Sequence, residues 1–318
     1  MTMPTTDHPQ QHQDWRVDAL WRALSPLLPD IGIEVLERTE STNTVLLDRV
    51  RSDSTRSASN NNIQSAQAGF GRRAHDLQPC LLVAEHQTRG RGRMGRQWQS
   101  GADGSLTFSL GLPLALSDWS GLSLAVGCAI AEALDPLERA DQAPRLQLKW
   151  PNDIWLMDGS NGRKLGGILI ETVPAGAQRM VVVGVGLNVS ELPPNASFSN
   201  STMSDFAPLA PLAAQFNTGF AALDELWPEL SPPEVLARIA PALVQALLDF
   251  TREGFEPWQA RFARRDLSLN KAVSAGAIDG IARGVNSQGE LLVQTPAGIQ
   301  VVSGGEVSLR LLRTPSSN

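Results

Sequence analysis

The stretch AEHQTRGRGRMGRQW, residues 84–98, decides which fold class this chain adopts. It follows an apolar run that predicts a buried strand over residues 80–84, and three of its glycines match the GxGxxG spacing. A dinucleotide-binding fold requires a helix directly after such glycines. Residues 104–112 instead alternate like a second strand. The segment therefore argues against a dinucleotide-binding fold and indicates two strands joined by a glycine-rich loop.

The same loop carries closely spaced arginines, Arg89, Arg91, Arg93 and Arg96. Glycine lets the backbone approach a ligand, and guanidinium groups bind phosphate or carboxylate, often through two parallel hydrogen bonds. No acidic residue interrupts the loop, so these charges repel one another unless an anion pairs them. We interpret the segment as an anion-binding loop. The alternative is a basic loop that faces solvent.

Lysine is rare in this chain: of its 27 basic residues, only Lys149, Lys164 and Lys271 are lysines. Two of the three lie in the motifs KWPND, residues 149–153, and RKLGGILIE, residues 163–171. Where arginine is otherwise used, a lysine indicates a compact charge directed at a small anion. The aspartate of KWPND could bind a magnesium ion that bridges phosphates, or accept a proton from an incoming amine. The alternative is that KWPND only ends a strand with a turn.

Two further motifs place polar side chains beside strands. STN, residues 41–43, follows a strand predicted over residues 32–38 and starts a helix with Ser or Thr as its cap. GVGLN, residues 184–188, ends an apolar strand and has glycines where a group must approach the backbone. Alone, the second motif reads equally well as a core strand ending in a turn.

Composition describes an acidic globular protein of 318 residues, with 42% hydrophobic and 19% charged residues. A net charge of −6 argues against general nucleic-acid binding, so we expect no DNA partner. The longest apolar stretch, residues 122–134, is too short to cross a bilayer, and the N-terminus does not read as a signal peptide. We therefore expect a cytoplasmic protein without membrane attachment. Cys80 and Cys128 lack metal-ligand spacing and are predicted to be reduced, buried thiols.

The sequence predicts an α+β domain followed by a small β domain. Residues 1–14 are predicted to form a disordered tail and residues 15–267 the larger domain, with a flexible, Ser/Asn/Gln-rich insertion at residues 51–78. Over residues 268–314, short alternating segments are separated by glycines. That pattern is typical of a barrel of about five strands.

The motifs STN, GRGRMGR, KWPND, RKLGGIL and GVGLN occur in the order and approximate spacing of biotin protein ligases, which this chain resembles. The resemblance is strong over residues 31–188 and weak beyond them. It implies a class II synthetase-like mixed sheet with helices and a C-terminal SH3-like barrel. It also implies an ATP-dependent ligase that forms biotinyl-5'-AMP from biotin and MgATP. Biotin then passes to a lysine on the biotin carboxyl carrier protein of acetyl-CoA carboxylase, and the resemblance leaves room for a homodimer.

The resemblance also implies roles for individual residues. The biotin ureido pocket would be lined by Ser41, Thr42, Asn43 and Gln87, and Trp98 would close it. The biotin carboxylate and α-phosphate would be covered by Arg91, Gly92 and Arg93, with Gly90, Gly167, Gly184 and Gly186 completing the ligand site. The nucleotide and Mg²⁺ would be held by Arg96, Lys149, Asn152, Asp153 and Asn188, with Asp153 as the metal ligand. The catalytic candidates are Lys164, Arg93 and Asp153, and Lys164 would bridge the carboxylate and the phosphoryl group.

Several features depart from the family pattern. Only 40 residues precede Ser41, too few for the helix-turn-helix domain of many bacterial relatives, so we expect no repressor activity. The turn at residues 158–162 is longer, and the insertion at residues 51–78 is extra. In the long loop after Asn188 we can assign no aromatic residue to the adenine.

Two other functions remain open at this point. A lipoate or fatty-acid ligase of the same fold is the nearer alternative, although GRGRMGR followed by KWPND favours biotin. A non-enzymatic nucleic-acid-binding protein would use the arginine loop and the terminal barrel. The acidic composition and the lack of a basic, aromatic face in the barrel argue against it.

Overall fold

The computed structural model describes residues 13–59, 78–101, 104–116, 118–139, 141–159, 161–175, 178–190, 219–304 and 309–311, with the backbone alone at 53–59 and 161. The predicted tail lies outside these ranges except for its last two residues. The Pro/Ser-rich loop expected at residues 192–212 and most of the predicted insertion also lie outside them.

Fourteen strands lie in the described residues and form two main sheets and one short hairpin. They are β1 (Gly32–Thr39), β2 (Cys80–Gln87), β3 (Gly90–Arg91), β4 (Gln97–Trp98), β5 (Ser105–Leu114), β6 (Leu146–Lys149), β7 (Asp153–Asp158), β8 (Asn161–Ala175), β9 (Gln178–Asn188), β10 (Ala272–Ala275), β11 (Ile278–Val285), β12 (Leu291–Thr295), β13 (Gly298–Val302) and β14 (Leu309–Leu311). The larger sheet has the order β1-β2-β5-β9-β8-β7-β6, while β3 and β4 pair only with each other. In the larger sheet β1 and β2 run parallel and the other neighbours antiparallel.

The described residues contain five α-helices: α1 (Val17–Leu24), α2 (Thr42–Ser59), α3 (Leu122–Leu134), α4 (Pro232–Glu253) and α5 (Gln259–Ala263). The first four pack on the larger sheet, and α5 contacts α3 and β11. Leu106, Phe108 and Leu110 alternate along β5 toward the face covered by α3 and α4, where the main core forms. The opposite face is covered by α2, with Leu46 and Leu47 buried against its strands. The mixed sheet and its helices confirm the predicted α+β class.

Local sequence signals set the bounds of α4. Ser231 and Glu234 form a capping box, in which the Ser231 backbone N–H donates to the Glu234 carboxylate at 2.9 Å. Pro232 occupies the first helical position, where its missing N–H costs nothing. The helix ends before Gly254, whose φ of +68° lies in the left-handed region.

A second, five-stranded antiparallel sheet has the order β13-β12-β11-β10-β14. Its buried residues belong to the same core cluster as the larger sheet. Two side chains join the sheets by hydrogen bonds: Trp150 Nε1 donates to the Gly289 carbonyl at 3.1 Å, and Gln259 Nε2 to the Val285 carbonyl at 2.7 Å. The small β unit expected from the glycine pattern is therefore present, and it packs directly on the α+β part.

Several helices and strands begin or end at other residues than the sequence pattern predicts. The sequence pattern predicts a helix over residues 119–134, but α3 starts at Leu122, because Gly121 adopts a φ of +79°. The helix after STN extends to Ser59, so the backbone of the first residues of the predicted insertion is helical. The pattern predicts strands over residues 165–171 and 180–188. β8 and β9 are longer, because β8 also pairs with β7 from Asn161 to Lys164 and with β9 as far as Ala175.

Cys80 and Cys128 are both free thiols. Cys128 is buried as predicted, whereas Cys80 is only partly buried, because it lies at the start of β2. Burial raises the pKa of each thiol to about 12, which keeps both protonated at neutral pH. In the described residues, no helix combines the length and apolar character needed to cross a membrane.

The buried Asp135–Arg265 pair generates a stability prediction. Arg265 is 2% exposed and donates to Asp135 Oδ2 at 3.0 Å and to the Leu146 carbonyl at 2.9 Å. We expect Asp135→Ala to lower the free energy of unfolding by about 3–5 kcal/mol, because it leaves a buried charge without its partner. Urea titration measures the loss. Asp141→Ala is the control, since its pair with Arg139 is exposed and contributes less than about 1 kcal/mol. Equal losses in both variants would contradict the prediction.

Candidate active site

A cavity of about 680 Å³ opens on the same face of the larger sheet as α2, beside the first turn of that helix. The first turn of α2, the loop between β2 and β5, the KWPND turn and the middle of β8 and β9 form its wall. It brings together nearly all predicted site residues: Ser41, Thr42, Asn43, Gln87, Arg91, Gly92, Arg93, Arg96, Trp98, Lys149, Asn152, Asp153, Lys164, Gly167, Gly184, Gly186 and Asn188. Motifs that are far apart in sequence therefore meet at one place.

Gly90 is not among the described residues that line the cavity. It pairs with Trp98 in the hairpin of β3 and β4, and a Cβ there would lie 2.4 Å from the Trp98 carbonyl oxygen. The absence of a side chain at Gly90 lets the loop fold back on itself. The ligand contact that the family resemblance implies for Gly90 stays a prediction.

One end of the cavity is a network of uncharged polar groups. The Gln87 side-chain oxygen accepts from the Thr42 backbone N–H at 2.8 Å and from Thr42 Oγ1 at 3.2 Å. Ser109 Oγ lies 2.6 Å from both Thr42 Oγ1 and Asn43 Oδ1. This end can hold a polar group that has no net charge, with donors and acceptors already oriented.

Two glycines of β9 make room for side chains of the cavity. A Cβ at Gly184 would lie 2.2 Å from Asn43 Oδ1, and one at Gly186 would lie 2.4 Å from Trp98 Cε2. The sequence predicted that some group approaches the backbone there. The structure shows that Asn43 and Trp98 occupy that space.

The other end of the cavity concentrates cationic groups. Lys164 Nζ donates to Asp153 Oδ1 at 2.7 Å, and Arg93 Nη1 donates to Asn152 Oδ1 at 3.3 Å. Arg93 also donates to the Gly304 carbonyl of the second sheet. Among the described residues that line the cavity, Asp153 is the single carboxylate. This end is suited to a ligand with several negative charges.

Burial acts on two of these cations. It lowers the pKa of the Lys149 amine, and the Asp153 carboxylate opposes that shift. Burial also lowers the pKa of the Arg93 guanidinium, and Asp153 again opposes it. Lys149 Nζ lies 5.0 Å from the centroid of the Trp155 ring, which adds a favourable cation–π contact. Partly desolvated charges of this kind interact strongly with an incoming anion.

Arg91 corrects the expectation that no carboxylate lies near the arginines of the loop. Its guanidinium binds Glu171 of β8 with both terminal nitrogens, at 2.9 Å and 3.1 Å. Arg89 also lies 3.5 Å from a carboxylate oxygen of Glu40. Sequence reasoning missed these pairs because their members lie on different elements.

Several residues that line the cavity or join its polar network were also missed. Ser109 reads as one more small residue of β5, yet it joins Thr42 to Asn43. Leu309 of β14 brings the second sheet into the cavity wall. Met94, with a φ of +57°, and Phe220, half-exposed at the rim, also line the cavity. A large aromatic residue directly after a glycine, at positions 219 and 220, was a usable signal for Phe220.

The donor set fits Mg²⁺ bound together with phosphates. Within the described residues no group of three or more His, Cys, Asp or Glu side chains is placed to hold a metal on its own. Mg²⁺ is usually bound by one or two carboxylates, with phosphate oxygens and water as the remaining ligands. Asp153 beside a cationic cavity matches that pattern, so the metal would arrive with its nucleotide.

Comparison with known proteins gives one family. Residues 74–188 match the Biotin/lipoate A/B protein ligase family, and residues 271–310 match the biotin protein ligase C terminal domain. The bifunctional ligase/repressor BirA of Escherichia coli is 32% identical over 286 residues, covering 88% of this chain and 74% of that protein. The biotin--[acetyl-CoA-carboxylase] ligase of Mycobacterium tuberculosis is 30% identical over 283 residues, covering 86% and 88%.

A solved structure agrees. The biotin protein ligase from Aquifex aeolicus in complex with biotin and ATP matches with a TM-score of 0.61 and 25% identity, covering 88% of this chain and 99% of that one. The shared motifs, the cavity that they build and these similarities lead to one conclusion: the chain is a member of the biotin protein ligase family.

Proposed function

We propose that this protein activates biotin with MgATP to biotinyl-5'-AMP and then transfers biotin to a lysine of a biotin carboxyl carrier domain. The observation that carries the proposal is the single cavity with an uncharged polar end and a cationic end. Biotin has a polar ring system and a carboxylate, and ATP has a triphosphate. The uncharged end therefore suits the biotin ring and the cationic end suits the triphosphate, so that the biotin carboxylate and the α-phosphate meet between them.

The first step joins two anions. A biotin carboxylate oxygen attacks the α-phosphorus, the bond to the β-phosphate oxygen breaks, and pyrophosphate leaves. Lys164, Arg93 and Lys149 offset the repulsion between the carboxylate and the phosphates and stabilise the charge that develops at phosphorus. Because these groups are held by Asp153, Asn152 and the Trp155 ring, they need little reorganisation during the reaction.

The second step releases AMP. The lysine amine attacks the anhydride carbonyl carbon, the bond to the phosphate oxygen breaks, and the nitrogen loses a proton. The mixed anhydride must be protected from water until the amine arrives. The loop of residues 89–98 and the Trp98 ring form a wall of the cavity that can shield it.

We propose roles for the remaining residues on the basis of their positions. The biotin end is formed by Ser41, Thr42, Asn43 and Gln87, with Trp98 packing over it; Gly184 and Gly186 make room for Asn43 and Trp98. The phosphate end is formed by Arg96, Lys149, Asn152 and Asn188, with Gly92 and Gly167 allowing close approach and Asp153 holding Mg²⁺. Asn188 donates to the Ala221 carbonyl at 3.1 Å and so positions the chain that carries Phe220.

The finer assignments belong to the same proposal. The natural acceptor is the carrier protein of acetyl-CoA carboxylase, the protein works in the cytoplasm, and a homodimer is compatible with its family. We expect no sequence-specific DNA binding, because the chain carries a net charge of −6.

The test of the function uses the purified protein with MgATP and biotin. We expect a bound biotinyl-adenylate to accumulate, and exchange of label between pyrophosphate and ATP to depend on biotin. Lipoate and a fatty acid serve as comparison substrates. Exchange with lipoate alone, or no exchange with any acid, would overturn the assignment.

The cationic end generates the first prediction here. We expect Lys164→Met and Arg93→Ala to slow adenylate formation by a hundredfold or more, because removing one preorganised charge costs about 3 kcal/mol of transition-state stabilisation. Biotin-dependent pyrophosphate exchange measures the rate. Lys271→Met is the matched control, because this third lysine does not line the cavity and should keep normal exchange. Near-normal exchange in both site variants would show that the cations are misassigned.

Phe220 generates the second prediction. Its ring is 50% exposed at the rim and offers a flat apolar face to the adenine base. Stacking of a base on an aromatic ring contributes about 1–3 kcal/mol, so Phe220→Ala should raise the KM for ATP by about tenfold or more. Phe220→Tyr should stay close to the parent, and the KM for biotin should change little in either variant. An unchanged KM for ATP in Phe220→Ala would rule out stacking.

A further inference from the structure

Glu171 of β8 receives hydrogen bonds from two elements that border the cavity. Arg91, in the first strand of the hairpin loop, donates from both guanidinium nitrogens, at 2.9 Å and 3.1 Å. Asn43, in the first turn of α2, donates from Nδ2 at 3.0 Å. One carboxylate therefore ties the arginine loop to the polar end of the cavity.

The Asn43 side of this arrangement is rigid. Asn43 Nδ2 also donates to the Leu169 carbonyl at 3.2 Å, and its Oδ1 lies 2.6 Å from Ser109 Oγ. The amide packs against Gly184, where a Cβ would lie only 2.2 Å away. Glu171 itself lies inside β8, opposite Val182 of β9, and its side chain is 22% exposed. The carboxylate is thus fixed by the sheet and by α2.

The Arg91 side of the arrangement belongs to the loop. Arg91 pairs with Gln97 across the short hairpin, and the Gly92 N–H donates to the Arg96 carbonyl at 2.7 Å. A contact that holds Arg91 therefore holds the whole hairpin. Arg93, two residues on, contacts Asn152 and the Gly304 carbonyl. The loop is fastened at its Arg91 end to β8 and at its Arg93 end to the KWPND turn and the second sheet.

The fork between Arg91 and Glu171 also defines what Arg91 does. A guanidinium bound by both nitrogens to a carboxylate has much of its charge compensated. Glu171 does not line the cavity. Its effect on a ligand must therefore act through Arg91 and Asn43.

We infer that Glu171 is a positioning residue of the ligase reaction, which fastens the arginine loop over the acyl-adenylate through Arg91 and so retains the intermediate until the acceptor amine arrives. This inference rests on the proposed function. It assigns Arg91 to closing the site, whereas Arg93 and Lys164 act on the reacting charges. Without the Glu171 contact the hairpin opens more often, and the anhydride escapes or meets water before transfer.

The test compares Glu171→Ala, Arg91→Ala and the double variant with the parent protein. Each protein is loaded with labelled biotin and MgATP, freed of excess substrate and chased, and the release of labelled adenylate is followed. A parallel sample receives a purified carrier domain, which gives the fraction transferred. We expect each single variant to release adenylate about tenfold faster, as suits the loss of a partly exposed charge-assisted bond, and the transferred fraction to fall. The double variant should be no faster than Glu171→Ala, because that single variant already removes the contact that is lost in Arg91→Ala.

Two further variants separate the fastening role from general damage. Glu34→Ala removes a carboxylate that binds Arg49 by the same fork, at 2.7 Å for both bonds, outside the cavity lining. It should release adenylate at the parent rate. Glu171→Gln keeps an acceptor for Asn43 but removes the charge that holds Arg91, and it should behave like Arg91→Ala. Thermal melting confirms that each variant is folded.

The outcomes are distinct. Parent-like release in Glu171→Ala and Glu171→Gln, or additive effects in the double variant, would overturn the inference while leaving the ligase assignment intact. If the parent protein itself forms no adenylate, the proposed function fails instead. A matching increase in Glu34→Ala would show that any lost ion pair loosens the protein, which also contradicts a specific role for Glu171.

Discussion

The cavity exists because neighbouring strands lack side chains at the same level of one sheet face. Gly167 of β8 pairs with Gly186 of β9, and Gly184 lies two residues along. Any side chain at Gly184 or Gly186 would overlap Asn43 or Trp98, which occupy that space. On the other face of the same strands, Val183 and Val185 are buried in the main core. One pair of strands therefore anchors the core on one side and forms the floor of the site on the other.

Three cationic side chains lie close together at this floor, and their mutual repulsion must be offset by nearby acceptors. Lys149, Lys164 and Arg93 share the carboxylate of Asp153 and the carbonyl oxygens around it. Partial burial strengthens their mutual repulsion as well as their attraction for an anion. A triphosphate with its Mg²⁺ relieves that repulsion on binding, so the same charges that destabilise the empty site favour the occupied one. Only three lysines occur in the chain, and two of them, Lys149 and Lys164, lie at this anion-binding end of the cavity.

The second sheet belongs to the site as well as to the core. Gly289 accepts from Trp150, which neighbours Lys149, and Gly304 accepts from Arg93 of the loop. Leu309 forms part of the cavity wall. The second sheet thus supports chemistry that is carried out by residues of the larger sheet. Its contribution is to hold the KWPND turn and the arginine loop in place.

Much of the site could be predicted from the sequence, because its motifs are local. Three motifs indicate their chemistry within a few residues each: glycines beside arginines, an Asn-Asp turn and a Ser-Thr-Asn helix start. The order of the motifs along the chain identified the family and, with it, the α+β class. Only the tertiary structure decided which groups pair. Arg91 meets Glu171 80 positions away and Arg93 meets Gly304 211 positions away, because strand order and register bring them together. Gly90 supports the hairpin and Ser109 joins the polar network for the same reason: a side chain's neighbours are set by packing between elements, which no single motif encodes.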